Sequence, residues 1–164
     1  MQQTIDSARF RNVLGHYPTG VCAVTAVHEG KPAAMIVGSF TSISLDPPLV
    51  GFFPDKKSTS WPKIEAAGGF CINVFGAHQL DPCGALAAKA ENKFDLVSHR
   101  PSPVTGSPLV DDVVAWIDCE LHSVVEAGDH WLVMGLVKAL EVEKPNAPLL
   151  FFQGSYGQFT PLAS

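Results

Sequence analysis

Apolar residues change their period along this chain, and each change marks an element. Phe10, Val13, Leu14 and Tyr17 recur at the i, i+3, i+4, i+7 spacing of one buried helical face, with Asp6 or Ser7 as cap and Pro18 as stop. From Gly20 to Val27 the pattern becomes strand-like. Glu29-Gly30-Lys31-Pro32 turns the chain and Ala33 to Phe40 returns, which predicts a hairpin. Pro48 to Phe53 predicts a third strand, rich in aromatic and branched residues. Ser60-Trp61-Pro62 starts a short helix that runs to Ala67 and ends at Gly68-Gly69. Phe70 to Phe75 predicts a fourth strand, and Ala85 to Ala90 is helical in composition after a turn at Asp81-Pro82. Asn92 to Pro108 has no clear period and predicts an extended loop. Val113 to Val125 alternates, its odd positions mostly apolar and Asp118, Glu120 and His122 on a wet face. Ala127-Gly128-Asp129-His130 turns the chain, Trp131 to Val142 pairs back, and Pro148 to Phe152 is a last strand.

Strands at hairpin spacing with only short helices predict a mainly antiparallel β fold. A long sheet must hide its edges, and closure into a barrel with peripheral helices does so; an open α+β sandwich is the alternative. The 164 residues fit one domain over 1–164, without internal repeats. A composition 46% hydrophobic and 16% charged excludes a disordered chain. No apolar run reaches the ~18 residues of a membrane span, and Met1 to Asp6 lacks the basic and apolar regions of a secretory signal, so the expected location is cytoplasmic. A net charge of −5 argues against nucleic acid as a partner. Few charges among many apolar residues imply a surface covered by another subunit.

Three segments carry candidate chemistry. Ser39, Thr41, Ser42 and Ser44 place four hydroxyls within six residues, between two strands, where they suit either a planar hydrogen-bonding ligand or a turn satisfying its own backbone. Lys56, Lys57 and Lys63 gather among Ser58, Thr59 and Ser60 at a helix start, which suits a phosphate or a solvated turn. Gly128-Asp129 makes a tight turn and sets His130 at a strand mouth, where it can donate a hydrogen bond or relay a proton. Cys22, Cys71 and Cys119 read as small buried hydrophobes, while Cys83, beside Pro82 and Gly84, is expected to be more accessible. No C-x-x-C or His-rich spacing predicts a metal. The other histidines show no ligand spacing, and Trp61, Trp116 and Trp131 read as core or interface.

In this order and spacing, the blocks Phe10-Arg11-x-Val13-Leu14-Gly15-x-Tyr17-Pro18-Thr19-Gly20-Val21 and Ser39-Phe40-Thr41-Ser42-Ile43-Ser44-Leu45-Asp46-Pro47-Pro48-Leu49 resemble the flavin reductase-like family. So do Phe70-Cys71-Ile72-Asn73-Val74, Gly128-Asp129-His130, and Pro148-Leu149-Leu150-Phe151 with Gly154 and Tyr156. These are NAD(P)H:flavin oxidoreductases that feed two-component monooxygenases. The resemblance implies a Greek-key split β-barrel of the FMN-binding type, a homodimer, and a flavin groove at the dimer interface. It carries flavin contacts onto Val37, Gly38, Ser39, Phe40, Ser42, Ile43 and Ser44, and the phosphate end onto Lys57, Ser58 and Thr59. It sets Phe94, after Lys93, against the flavin or its adenine. It gives the nicotinamide side to Gly128, Asp129 and His130, with Gly154 and Tyr156. Ala34-Met35-Ile36 stands where the family often has Gly-Met-Thr, and Gly38 replaces a more usual Ser or Ala.

The implied activity is NADH-dependent reduction of diffusible FAD, or FMN, for a separate monooxygenase. Hydride transfer between two rings held about 3–3.5 Å apart asks the protein for orientation rather than a nucleophile or metal. Backbone N–H groups over 38–44 would stabilise charge on the reduced ring, and His130 would be the catalytic residue, mainly by orienting the nicotinamide. A flavin carrier or redox sensor on the same barrel is the alternative; a pyridoxamine-phosphate-oxidase-like enzyme would want more basic residues.

Overall fold

The computed structural model describes residues 4–164; Met1 to Gln3, the start of the segment read for a secretory signal, lie outside the described residues. Helix α1 (Ser7–Leu14) begins on Asp6, whose carboxylate accepts the Arg9 N–H at 2.7 Å. Its apolar face does not meet the core. Phe10 is 56% exposed and Tyr17 72%, and Val13 and Leu14 are exposed beside them. The period identified the helix but not what covers it.

Strand β1 (Thr19–Gly20) leads into β2 (Cys22–His28) and β3 (Lys31–Val37), which form the expected hairpin around Glu29-Gly30. Both turn residues have positive φ, 51° and 73°. With β4 (Thr41–Leu45), β5 (Pro48–Phe52), β6 (Gly69–Val74), β9 (Ala115–Ala127) and β10 (His130–Val142), these build an antiparallel sheet ordered β3-β2-β6-β9-β10-β5-β4. The two ends of that order are successive in the chain. Val37 of β3 shares one apolar cluster with Val50 and Phe52 of β5, so the sheet curls on itself and is split between β3 and β4. The fold is mainly β with short peripheral helices, as expected.

The hydroxyl-rich segment is therefore an edge strand rather than a turn, with a register shift between Ser42 and Ser44. Helix α2 (Trp61–Ala67) ends as expected on Gly68, at φ 74°. Helix α3 (Leu80–Ala87) starts earlier than expected, because Asp81-Pro82 forms its first turn rather than a preceding one. β11 (Leu149–Phe152) pairs with β1 and with β12 (Ser155–Gln158), a strand the apolar pattern did not reveal. The stretch expected as a loop contains β7 (His99–Pro101), paired with β8 (Pro108–Val110).

That last pairing changes what the sheet covers. β2 is buried along most of its length, because Cys22, Val24 and Ala26 face the barrel interior while Ala23 faces a second cluster with Phe75, Leu86 and Leu109. The 99–110 hairpin lies over this outer face and is held by buried polar groups. Asn73 Nδ2 donates to Thr25 Oγ1 at 3.1 Å and to the carbonyls of Ala23 and Pro108 at 3.3 Å, while its Oδ1 accepts the Val110 N–H at 2.8 Å. Asp118, expected on a wet face, is fully buried and accepts the Val104 and Thr105 N–H groups at 2.8 and 3.1 Å. Inside the barrel, Phe52 meets Trp61 and Phe70 edge to face. Gly135 makes room there: a Cβ on it would stand 2.6 Å from Phe70 Cζ.

Asn73→Ala strands the Val110 N–H in the core and removes one partner from the Thr25 hydroxyl, which keeps its bond to the Pro108 carbonyl. A loss of roughly 2–4 kcal/mol is expected in urea unfolding, as for other broken buried networks.

Candidate functional site

The β9–β10 connection is two residues long. Gly128 takes φ 65°, which suits the first position of a tight hairpin turn, and His130 opens β10. The Asp129 carboxylate accepts from His130 Nδ1 at 2.7 Å. A carboxylate offers only lone pairs, so Nδ1 carries the proton and Nε2 is the other ring nitrogen available to a ligand. The hydrogen bond from the neighbouring imidazole, more than the backbone N–H of Asp129 or the Lys57 ammonium, holds the Asp129 carboxyl below its ordinary range.

Pairing of β10 with β5 brings the lysine-rich loop to this turn. Asp55 bridges His130, the Lys56 N–H donates to the Asp129 carbonyl at 2.9 Å, and the Trp131 N–H donates to the Pro54 carbonyl at 2.9 Å. Asp55 also shapes the loop itself. Its side chain accepts the Lys57 N–H at 2.8 Å and its carbonyl accepts the Ser58 N–H at 3.0 Å. Ser58 Oγ then accepts the Trp61 N–H at 3.2 Å, so Ser58, rather than Ser60, supplies the side-chain contact at the start of α2. With that N–H taken and Pro62 lacking one, the start of α2 offers few free N–H groups.

Beside this loop lies a cleft of about 530 Å³. Ala33 to Ile36 of β3 form its floor, Lys57 to Ser60 one wall, and the end of α3 with the following Ala88 to Glu91 the other. Lys57, Lys63, Lys89 and Lys93 line it against Asp55 and Glu91, four cations to two anions. Lys93 Nζ donates to the Ala34 carbonyl at 2.6 Å, on the edge of β3 away from β2. Burial, and then the Lys63 charge, push the Lys93 ammonium below its usual range. A cleft of this size with an alanine-rich lining and four ammonium groups suits an anionic ligand.

The expected site residues divide by position. Lys57, Ser58 and Thr59 line the cleft, and Asp55 joins them to Gly128, Asp129 and His130. The block from Val37 to Ser44 forms the corner where β3 passes to β4, downstream of the β3 residues that line the cleft. There Val37 is buried in the barrel, Gly38 abuts Thr19, Ser39 Oγ accepts the Phe53 N–H at 3.0 Å and Phe40 packs on the interior cluster. Ser42 and Ile43 are exposed and Ser44 is half-buried. Phe94, expected at the ligand, is instead buried edge to face with His99; its neighbour Lys93 reaches the cleft. Gly154 and Tyr156 sit on the β11–β12 hairpin, where Tyr156 meets Phe151 and lines a separate cavity of about 320 Å³.

Sequence reasoning left Lys89 and Lys93 out of the site. Their four-residue spacing was a signal, but only the fold carries them to β3. Cys83 proves fully buried, against the expectation, with its Sγ 3.9 Å from the Tyr156 hydroxyl. Burial pushes the Cys22 and Cys119 thiols up to about 12. No cluster of metal-ligating side chains occurs among the described residues, and no described helix is long and apolar enough to cross a membrane.

The family model described as the flavin reductase like domain matches residues 14–160. The chain is 56% identical over 163 residues to a flavin reductase of Pseudomonas putida, covering 99% of this chain and 95% of that one. It is 41% identical to the flavin-dependent monooxygenase reductase subunit HsaB of Rhodococcus jostii, covering 97% of this chain and 81% of that one. The solved NADH:FAD oxidoreductase SgcE6 of Streptomyces globisporus, in complex with NAD and FAD fragments, matches with a TM-score of 0.91 at 31% identity, over 99% of this chain and 100% of that one.

Because all four thiols are buried, Ellman's reagent at pH 8 is expected to label none rapidly in the native protein and four after denaturation. Rapid labelling of one thiol in the folded state would contradict this burial.

Proposed function

The chain belongs to the flavin reductase-like family and is an NAD(P)H:flavin oxidoreductase, and from that premise we propose which of its residues carry the reaction. FAD or FMN is the flavin and NADH the donor. Lys57, with the Ser58 and Thr59 hydroxyls, binds the flavin phosphate, and Lys63, Lys89 and Lys93 extend that field along the cleft. The corner of Val37, Gly38, Ser39, Phe40, Ser42, Ile43 and Ser44 borders the ring end. His130 orients the nicotinamide, held by Asp129 so that its Nε2 faces the ligand.

One observation carries this reading. Asp55 lines the cationic cleft and is also the bridge partner of His130, so the phosphate-binding loop and the nicotinamide-orienting turn share one rim. The bound flavin supplies the ring that accepts the hydride. The protein's share is to neutralise phosphate charge, hold Nδ1 of His130 protonated and restrict the approach of one ring to the other.

A second copy of this chain covers the apolar surface. The α1 face with Phe10, and Tyr17 just beyond the helix end, adjoins Phe151, Phe152 and Tyr156, because the Gln153 N–H donates to the Gly15 carbonyl at 3.0 Å. Gly154 and Tyr156 join the nicotinamide side across that interface. Residues 1–164 act as one cytoplasmic domain, and reduced flavin leaves for a separate monooxygenase, in keeping with the reductase subunits among its relatives.

NADH oxidation is expected to require added FAD or FMN. Lys57→Ala should raise the flavin KM about tenfold, the scale of one lost charge-assisted contact. His130→Ala should raise the NADH KM more than the flavin KM. Absence of flavin-dependent oxidation of either nicotinamide would sink the assignment. Sedimentation should give twice the chain mass, and a monomer at micromolar concentration would refute the dimer.

A further inference from the structure

Lys56 sits in the Asp55–Ser58 loop, beside Lys57, but does not itself line the cleft. Its Nζ bonds Glu126 Oε1 at 2.8 Å and stands 4.7 Å from the centroid of the Trp131 ring. Glu126 and Trp131 are cross-strand partners at the root of the β9–β10 turn. The side chain thus spans both strands just below the turn that presents Asp129 and His130. The Lys56 N–H, meanwhile, bonds the Asp129 carbonyl at the turn itself. One residue is tied to the turn by its backbone and to the base of that turn by its charge.

We propose that Lys56 is a positioning residue, which clamps the Asp55–Ser58 loop onto the β9–β10 turn and so fixes the spacing between the flavin-phosphate site and the nicotinamide site. The inference rests on the functional reading above, because it assigns those two sites to the two elements that Lys56 joins. An exposed ion pair does little for global stability, and Glu126 is mostly solvent-exposed. Its effect is local: the charge restrains a short loop whose neighbour, Lys57, must meet a ligand. The contacts also explain the residue type. A lysine stem can lie over the indole face while its ammonium reaches the carboxylate, and both attractions fall on one nitrogen.

The test compares Lys56→Met, Lys56→Arg and Glu126→Gln in the full chain. Lys56→Met should weaken FAD binding and raise the NADH KM together, each about fivefold, the combined scale of an exposed ion pair and a cation–π contact. Lys56→Arg should restore both, and Glu126→Gln should act in the same direction without adding to Lys56→Met. Thermal midpoints should stay close to wild type. Amide hydrogen exchange supplies a readout without ligand: Lys57 to Ser60 should exchange faster in Lys56→Met. Unchanged exchange and unchanged affinities would overturn the clamp, as would a lowered midpoint with unchanged affinities. If the wild type shows no flavin-dependent activity while exchange still accelerates, the functional reading fails and the mechanical clamp stands.

Discussion

The register of β10 against β5 is the constraint on which the rest depends. Val133 faces Phe52 and Leu136 faces Leu49, which places Val133 and Phe52 in one interior cluster. A slip of one residue would turn those side chains to the opposite face and take Phe52 away from Trp61 and Phe70. It would also separate Asp55 from His130. The same hydrophobic alignment that packs the barrel therefore sets the lysine loop beside the Gly-Asp-His turn, and the site inherits its geometry from the core.

Buried polar groups make that core serve two faces. β2 and β6 lie in the middle of the sheet and need cover on both sides. Packing alone supplies the barrel interior. On the outer side, Asn73 and Asp118 offer acceptors to backbone N–H groups of a segment whose sequence shows no strand period. Their burial costs free energy unless every partner is present, so they specify a single placement of the 99–110 hairpin. Lys93, just upstream, is anchored to the β3 edge in the cleft.

Hairpins with local turn chemistry could be read from the chain: Glu29-Gly30 and Gly128-Asp129 combine turn residues with apolar runs on both sides. The lysine loop and His130 could be read as candidate chemistry, although their contact could not, because 70 residues separate Lys56 from Glu126. The Ser/Thr-rich block misled because hydroxyls suit turns and exposed edge strands alike. Asp118 misled because period-2 alternation reports polarity, not exposure. A buried carboxylate with backbone partners produces the same pattern as a solvated one.

Local sequence by itself determined the hairpins, the stop of α2 at Gly68 and the residue types that carry candidate chemistry, since these follow from short-range sterics and charge; α1 stops at Gly15 rather than at Pro18, and α3 at Ala87 rather than Ala90. Tertiary structure decided which faces are covered, which lysines share one cleft and why Phe94 is core. Those outcomes depend on strand order and register, which arise from contacts between segments far apart in the chain. The apolar face of α1 belongs to the same class, because its pattern shows that it favours burial and only a neighbouring surface can provide it.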